Sequence, residues 1–374
     1  MLRINSSIST PILCSLEAII KDTMSQLQKT KHVLRLTFEY AYLIFGVLMA
    51  ELTKTPIERS HRALLALHGS MGVAINEQFS RILSILSSKK KSSRLWVEAG
   101  KIFEKDEMPK ALKKLKVSGC CVLDRTLEEK ACERLKSFAL NTPSAPRPMT
   151  NISQTALPLA KQIYKGYNPT AAIYDFNKED LIQQPDIQNL ISDDGVLELV
   201  RRYLGCSPYL NAVSMWWQTD FLDRPDAEAA QFFHFDMDGI KWVKIFIYLT
   251  DVSSSNGPHT YVLKSHQINN IPQAILKLGY ARLEDREIHA HYPRHQIYEI
   301  TGKQGTIIIE DTRGLHKAKN VQSGNRLILQ LQYSNSLFGM LGNNYRSVKV
   351  PEKLTDSLAT CLSTNKKLFR HFFE

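Results

Sequence analysis

The six cysteines, Cys14, Cys120, Cys121, Cys132, Cys206 and Cys361, include no C-x-x-C pair and no regular spacing. A disulfide framework is therefore not expected, and free structural thiols in a reducing compartment are. Long apolar runs are lacking too. The longest, Tyr40 to Ala50, has 11 residues between Glu39 and Glu51, whereas about 20 are needed to cross a bilayer. No signal peptide is expected either, because Ile12–Leu16 is short for an apolar core and Glu17 interrupts it. The Ser/Thr-rich, mildly basic residues 1–31 leave a transit peptide open beside the expected cytoplasmic location. No internal repeat is visible.

An acidic excess is also missing. The chain carries 48 Lys/Arg against 37 Asp/Glu, and residues 1–120 hold 19 of the former and 10 of the latter. A basic N-terminal third suits nucleic acid or an anionic membrane surface. The plainer reading is a solvated face plus a charged linker, and no nucleic-acid partner is expected. What the chain does have is ordinary globular composition, 43% hydrophobic and 23% charged over 374 residues. That is enough for one large domain or two smaller ones, each with a core.

Residues 11–86 read as helices, since Leu34, Phe38, Tyr42 and Phe45 recur at helical spacing, as do Leu64, Leu67, Met71 and Ile75. Ser87-Ser88-Lys89-Lys90-Lys91-Ser92-Ser93-Arg94 follows, a cationic, low-complexity stretch that reads as a linker. The expected organisation is thus a helical segment over 1–94, serving docking to a membrane or a protein partner, and a catalytic domain over 95–374. Further helices are expected over 107–117, 126–139 and 185–204. Strands are expected at Trp242–Leu249, Thr260–Leu263, Gly305–Ile309 and Leu327–Tyr333, with Ser253 to Pro258 as a turn. Short strands between turn signals suggest an antiparallel sandwich or barrel.

The chemistry gathers around Phe232-Phe233-His234-Phe235-Asp236-Met237-Asp238-Gly239. On a strand, His234 and Asp236 share a face and can take adjacent positions on one metal. With 11 His in the chain, roughly one His-x-acid is expected by chance, so the context has to decide. Some 80 residues later, Gly305 to Glu310 reads as a strand leading through Asp311-Thr312-Arg313-Gly314-Leu315 to His316. A second histidine there completes a facial triad, which leaves room on iron(II) for a 2-oxo acid and dioxygen. Ten residues further, Arg326 opens an apolar strand. A buried arginine there needs an anionic partner, and a distal carboxylate is one.

These stretches, together with Lys244 to His266 and Gly119 to Asp124, resemble the phytanoyl-CoA dioxygenase family in order and approximate spacing. The likeness runs from about residue 95 to 340. It implies a mainly β double-stranded β-helix (jelly-roll) core with flanking helices. It further implies iron(II) on His234, Asp236 and His316, 2-oxoglutarate on Arg326, and O2 as oxidant. Lys264-Ser265-His266 departs from the family's Gly-Ser-His, and His266 reads as structural. Asp236 in the carboxylate position argues for hydroxylation rather than halogenation. Gln218 and Lys244 are candidate contacts to the co-substrate, with Tyr248 on the Lys244 face. Arg313 and His259 read either as substrate contacts or as surface loop, and His289 and His291 are left unassigned. The substrate is expected to be a small or lipid-like molecule that the sequence does not identify. Two rival readings stand beside this one: a metal-dependent hydrolase on the same triad, and a non-catalytic jelly-roll.

Overall fold

A computed structural model describes residues 9–55, 57–88, 102–103, 107–149, 160–279, 281–339 and 346–374, with side chains from residue 28 onward. The N-terminal part is helical: α1 (Ser9–Thr53), α2 (Glu58–Met71) and α3 (Ala74–Ser88). The rest opens with α4 (Glu107–Ser118), β1 (Cys120–Thr126), α5 (Glu129–Asn141), β2 (Ala145–Pro146) and β3 (Ile173–Asp175). Then come α6 (Lys178–Leu181), α7 (Pro185–Ile191), α8 (Asp194–Leu204), β4 (Tyr209–Thr219), β5 (Trp242–Tyr248) and β6 (His259–Val262). It closes with α9 (Gln273–Leu276), α10 (Asp285–His291), β7 (Ile297–Ile300), β8 (Thr306–Glu310), β9 (His316–Ala318), β10 (Asn325–Ser334) and α11 (Asp356–Thr364).

Seven strands form an antiparallel sheet in the order β1-β8-β5-β10-β4-β3-β2, and three more form the sheet β7-β6-β9. The two sheets face each other across Cys120, Phe246, Tyr248, Tyr261, Ile300, Ile308 and Ile328, which share one buried cluster. This is the double-stranded β-helix architecture. Alternation along β10 shows how the sequence builds it. Leu327, Leu329, Leu331 and Tyr333 join the outer core under α4, α5, α7 and α8, while Ile328 belongs to the inner one. Arg326, two residues before Ile328, therefore points into the barrel. At the start of β1, Gly119 has φ +81°, and a Cβ there would collide with Tyr261 Oη and His266 Nδ1.

Two local expectations are corrected. Residues 185–204 form two helices, not one. Ser192 Oγ donates back to Gln188 O at 2.7 Å, and the Asp193 carboxylate caps a new helix by accepting from Val196 N at 2.9 Å. The His234 segment is extended but is not a full strand, being held by isolated bridges from Phe233 to Leu283 and from His234 to His316.

The N-terminal helices do not form a core of their own. Leu43, Val47, Leu64, Leu67, Ile75 and Phe79 share one buried cluster with Phe235, Met237, Ile240 and Phe338. Polar contacts follow the same seam. Asn76 Nδ2 donates to Ile240 O at 2.9 Å, and His61 Nε2 donates to Met237 O at 2.8 Å. Glu51 accepts from Tyr209 Oη at 2.6 Å and from Leu337 N at 3.0 Å. The boundary expected at 87–94 thus separates stretches of chain, not cores. Ser87 and Ser88 end α3, and Lys89–Arg94 lie outside the described residues. The expectation that nothing in the chain is apolar enough to cross a bilayer also changes. Gln28–Thr53 contains an 18-residue stretch of mean hydropathy 1.5 and is long and apolar enough by length and composition. A count of unbroken apolar residues misses it because Glu39 and Glu51 interrupt the run.

All four tryptophans, Trp96, Trp216, Trp217 and Trp242, lie outside α1–α3, so their fluorescence reports the rest of the molecule. Leu64→Ala empties a fully buried position and should destabilise by about 2–5 kcal/mol. The shared core predicts that the tryptophan-monitored denaturation midpoint falls with it. A midpoint that stays in place while helix content is lost would mean that the helices fold independently.

Candidate metal centre

Two backbone hydrogen bonds join His234 to His316: His234 N donates to His316 O at 3.0 Å, and His316 N to His234 O at 2.8 Å. Directly opposed residues bring their side chains close, and the two imidazole centroids lie 4.4 Å apart. Asp236 follows two residues on, its N–H donating to Thr312 O at 2.8 Å. Its carboxylate is 3.7 Å from each of His234 Nε2 and His316 Nε2. One ligand atom from each of the three residues lies within 4.8 Å of the others.

The tautomers are set by the backbone. His234 Nδ1 is 2.9 Å from Phe232 O, and His316 Nδ1 is 3.0 Å from Gly314 O. A carbonyl oxygen only accepts, so both Nδ1 atoms carry the proton, and both Nε2 lone pairs face the common centre. Burial lowers the His234 pKa to about 3, with His316 and Arg282 adding to the shift, and burial likewise lowers that of His316. Both rings are then neutral at physiological pH, the form that binds metal. Burial works against ionisation of Asp236, but Lys244, His316 and His234 outweigh it and hold the carboxyl well below its ordinary value. Two neutral imidazoles and one carboxylate suit a first-row divalent ion, and among the described residues no fourth His, Cys or carboxylate joins the group.

Arg326 is 1% exposed. Its Nε and Nη2 donate to Gln218 Oε1 at 3.1 and 2.6 Å. No carboxylate pairs with it among the described residues, and Arg326 Nη1 and Gln218 Nε2 are buried without a partner. Burial pulls the guanidinium pKa down, with Tyr248 opposing. A buried cation with free donors inside the barrel fits the distal carboxylate of a dicarboxylic acid. Gln218, expected to touch the co-substrate, buttresses the guanidinium and offers one free N–H beside it. Lys244 lies elsewhere. Its Nζ sits 2.6 Å from Asp236 Oδ2 and 3.1 Å from Asp238 Oδ2. It pairs in register with Gln332, six positions along β10 from Arg326 and so roughly 20 Å away along the strand. Lys244 is thus paired with the carboxylate of the metal cluster, whereas Arg326 keeps a buried donor without a partner.

His259 and Arg313 are not surface residues. His259 Nε2 is 2.7 Å from Glu310 Oε2, and its ring stacks on His316 at 5.7 Å. Arg313 pairs with Asp311 at 2.5 Å and with Glu77 of α3 at 2.9 Å, and Tyr203 Oη donates to Asp311. Sequence reasoning missed Glu310 and Glu77. A glutamate ending the apolar run Ile307-Ile308-Ile309 was the available signal for Glu310, whereas nothing in the sequence links Glu77 to the turn before His316. His266 is buried, with Nε2 donating to Lys116 O at 3.2 Å, and stands apart from the triad. His289 and His291 lie exposed on α10.

A family model described as phytanoyl-CoA dioxygenase matches residues 115–327. No curated protein matches. Among solved structures, HygX from Streptomyces hygroscopicus with nickel and 2-oxoglutarate is 14% identical with a TM-score of 0.44, covering 67% of this chain and 92% of that one. The epimerase SnoN with Fe3+, alpha ketoglutarate and nogalamycin RO is 12% identical with a TM-score of 0.43, covering 61% and 83%. The carbocyclase SnoK from nogalamycin biosynthesis is 13% identical with a TM-score of 0.41, covering 64% and 87%.

Replacing either His234 or His316 with Ala removes a ligand from a set of three. Affinity for Co(II), followed by calorimetry, should fall by at least about 100-fold, more than the roughly 10–100-fold typical of losing an outer partner. Unchanged affinity in a variant with native circular dichroism would remove that histidine from the centre.

Proposed function

The chain belongs to the phytanoyl-CoA dioxygenase family, and on that footing we propose that it is a dioxygenase that hydroxylates a small or lipid-like molecule. The enzyme class is non-haem iron(II) and 2-oxoglutarate dependent. His234, Asp236 and His316 hold the iron. Arg326, backed by Gln218, takes the distal carboxylate of 2-oxoglutarate. Bound together with O2, these groups supply oxidation of a C–H bond, with succinate and carbon dioxide as co-products.

The protein's own part is placement. Lys244 keeps Asp236 ionised and aimed, and the carbonyls of Phe232 and Gly314 fix the ring orientations. Phe246, Tyr248 and Ile308 belong to a buried apolar cluster inside the barrel, the kind of surrounding that keeps water from a reaction. A cleft of about 770 Å³ is lined by Leu222, Arg224, Gln231, Phe232, Asp285 and Lys317, of which Phe232 and Lys317 are close in sequence to His234 and His316. That volume suits a small molecule. The observation carrying the reading is the buried Arg326 with its unpaired Nη1, which a hydrolase using the same triad would have no use for.

Arg326→Leu removes the guanidinium and keeps the strand apolar. Losing one partner of a buried charge pair costs about 2–5 kcal/mol, so 2-oxoglutarate affinity should weaken about 30-fold or more while Co(II) affinity holds. Succinate release in a substrate screen should fall with it. An unchanged 2-oxoglutarate constant would mean that another group takes the carboxylate, and would overturn the assignment.

A further inference from the structure

From Leu34 to Leu52 the outer face of α1 is apolar and, among the described residues, uncovered. Leu34, Phe38, Phe45, Leu48 and Leu52 are 54%, 65%, 52%, 54% and 74% exposed. With Tyr42 and Ile44, also exposed, they cover an arc of about 160° on a helix of 3.6 residues per turn. Between Leu36 and Thr53 the only charged residues are Glu39 and Glu51, and both are committed inward. Glu39 accepts from Arg59 at 2.6 and 2.9 Å, and Glu51 from Tyr209 and Leu337. α3 packs on the opposite side of α1 and exposes apolar residues of its own. Tyr40 and Phe79 are in ring contact at 5.2 Å, Leu36 and Leu83 pack on the same core, and Ile82, Ile85 and Leu86 are exposed beyond them.

Exposed cations gather at one end of the α1 face. Lys29, Lys31 and Arg35 are exposed just before the apolar stretch, and Arg81 is exposed on α3. In the sequence Lys89, Lys90 and Lys91 follow directly after α3. A broad uncharged arc with cations at one end matches the interface of an anionic bilayer, with apolar side chains among the acyl chains and ammonium and guanidinium groups at the phosphates. Spanning is disfavoured, because Leu43, Val47 and Ala50 are buried against the protein on the opposite side of the helix. A second copy of the chain fits less well. A coiled-coil seam is narrower than this arc and carries flanking charge pairs, whereas Thr37, Ile44, Tyr42 and Met49 occupy the flanks here.

We propose that the outer face of α1 docks the enzyme on an anionic membrane surface, with this stretch of α1 lying in the plane of the headgroups. This does not depend on the iron site. The test is flotation of the full chain with phosphatidylserine/phosphatidylcholine vesicles and with phosphatidylcholine vesicles alone. Binding should favour the anionic vesicles and weaken with salt. Phe45→Glu/Leu48→Glu should cut partitioning at least about tenfold, with denaturation midpoint and Co(II) affinity unchanged. Lys31→Gln/Arg35→Gln should cut it about fivefold per charge on anionic vesicles only. Failure of the full chain to float with either vesicle would overturn the proposal, as would full binding by the Phe45/Leu48 variant. A lipid-free dimer that does not float, and that this variant turns into monomer, would assign the face to a second copy instead.

Discussion

The centre depends on the backbone bridge between His234 and His316. Two hydrogen bonds fix the residues opposite each other, and a slip of one position would turn either imidazole to the other face of its segment. Each ring is then locked by a carbonyl two residues before it, Phe232 O for one and Gly314 O for the other. Asp236 is brought in by its own bond to Thr312 O, within the same turn that delivers His316. That turn is clamped from outside by the buried Asp311–Arg313–Glu77 network, and Trp242 Nε1 donates to Thr312 Oγ1 at 2.8 Å. Through Glu77, the helix α3 becomes part of what holds a ligand 239 positions away in the sequence.

Three polar groupings stand out on the inward face of the barrel among the described residues: Asp236 with Lys244 and Asp238, His259 with Glu310, and Arg326 with Gln218. Buried charge is tolerated where it is paired and hydrogen-bonded. The first sets a lysine against two carboxylates, and the second hydrogen-bonds a carboxylate to an imidazole. The third pairs a cation with a neutral amide and keeps donors free. Arg326 with Gln218 is the grouping of the three that leaves buried donors unpaired, so Lys244, though basic and inward-facing, is not equivalent to Arg326.

How much was legible in the sequence follows from the range of each interaction. The strands β5, β6, β8 and β10 were readable because their inward and outward residues alternate or run apolar between turn residues. The triad was readable from one short motif, a distant strand-turn-histidine and an arginine opening a strand. The break at Ser192–Asp193 was missed because the apolar periodicity runs through it, and only the side-chain bonds of those two residues reveal it. His259 and Arg313 looked like loop residues because their partners, Glu310, Asp311 and Glu77, are identified by folding and not by spacing. The same blindness applied to α1–α3. A lysine-rich stretch marks a plausible boundary, but Asn76, His61 and Glu51 bond to carbonyls, amides and hydroxyls far along the chain, and backbone partners leave no trace in sequence.

The same helices that brace the turn before His316 on one side present an apolar face with cations at one end on the other, so the part of the chain without catalytic residues supports the centre. The central claim remains that a His-Asp-His centre and an arginine within one barrel bind iron(II) and a 2-oxo dicarboxylate together. An anaerobic titration of the full chain with iron(II) and then 2-oxoglutarate, followed by visible charge-transfer absorption, tests it most directly. The account predicts one iron and one 2-oxoglutarate per chain, with the absorption appearing only when both are present. Iron binding without any 2-oxoglutarate-dependent absorption, or no iron binding at all, would contradict it.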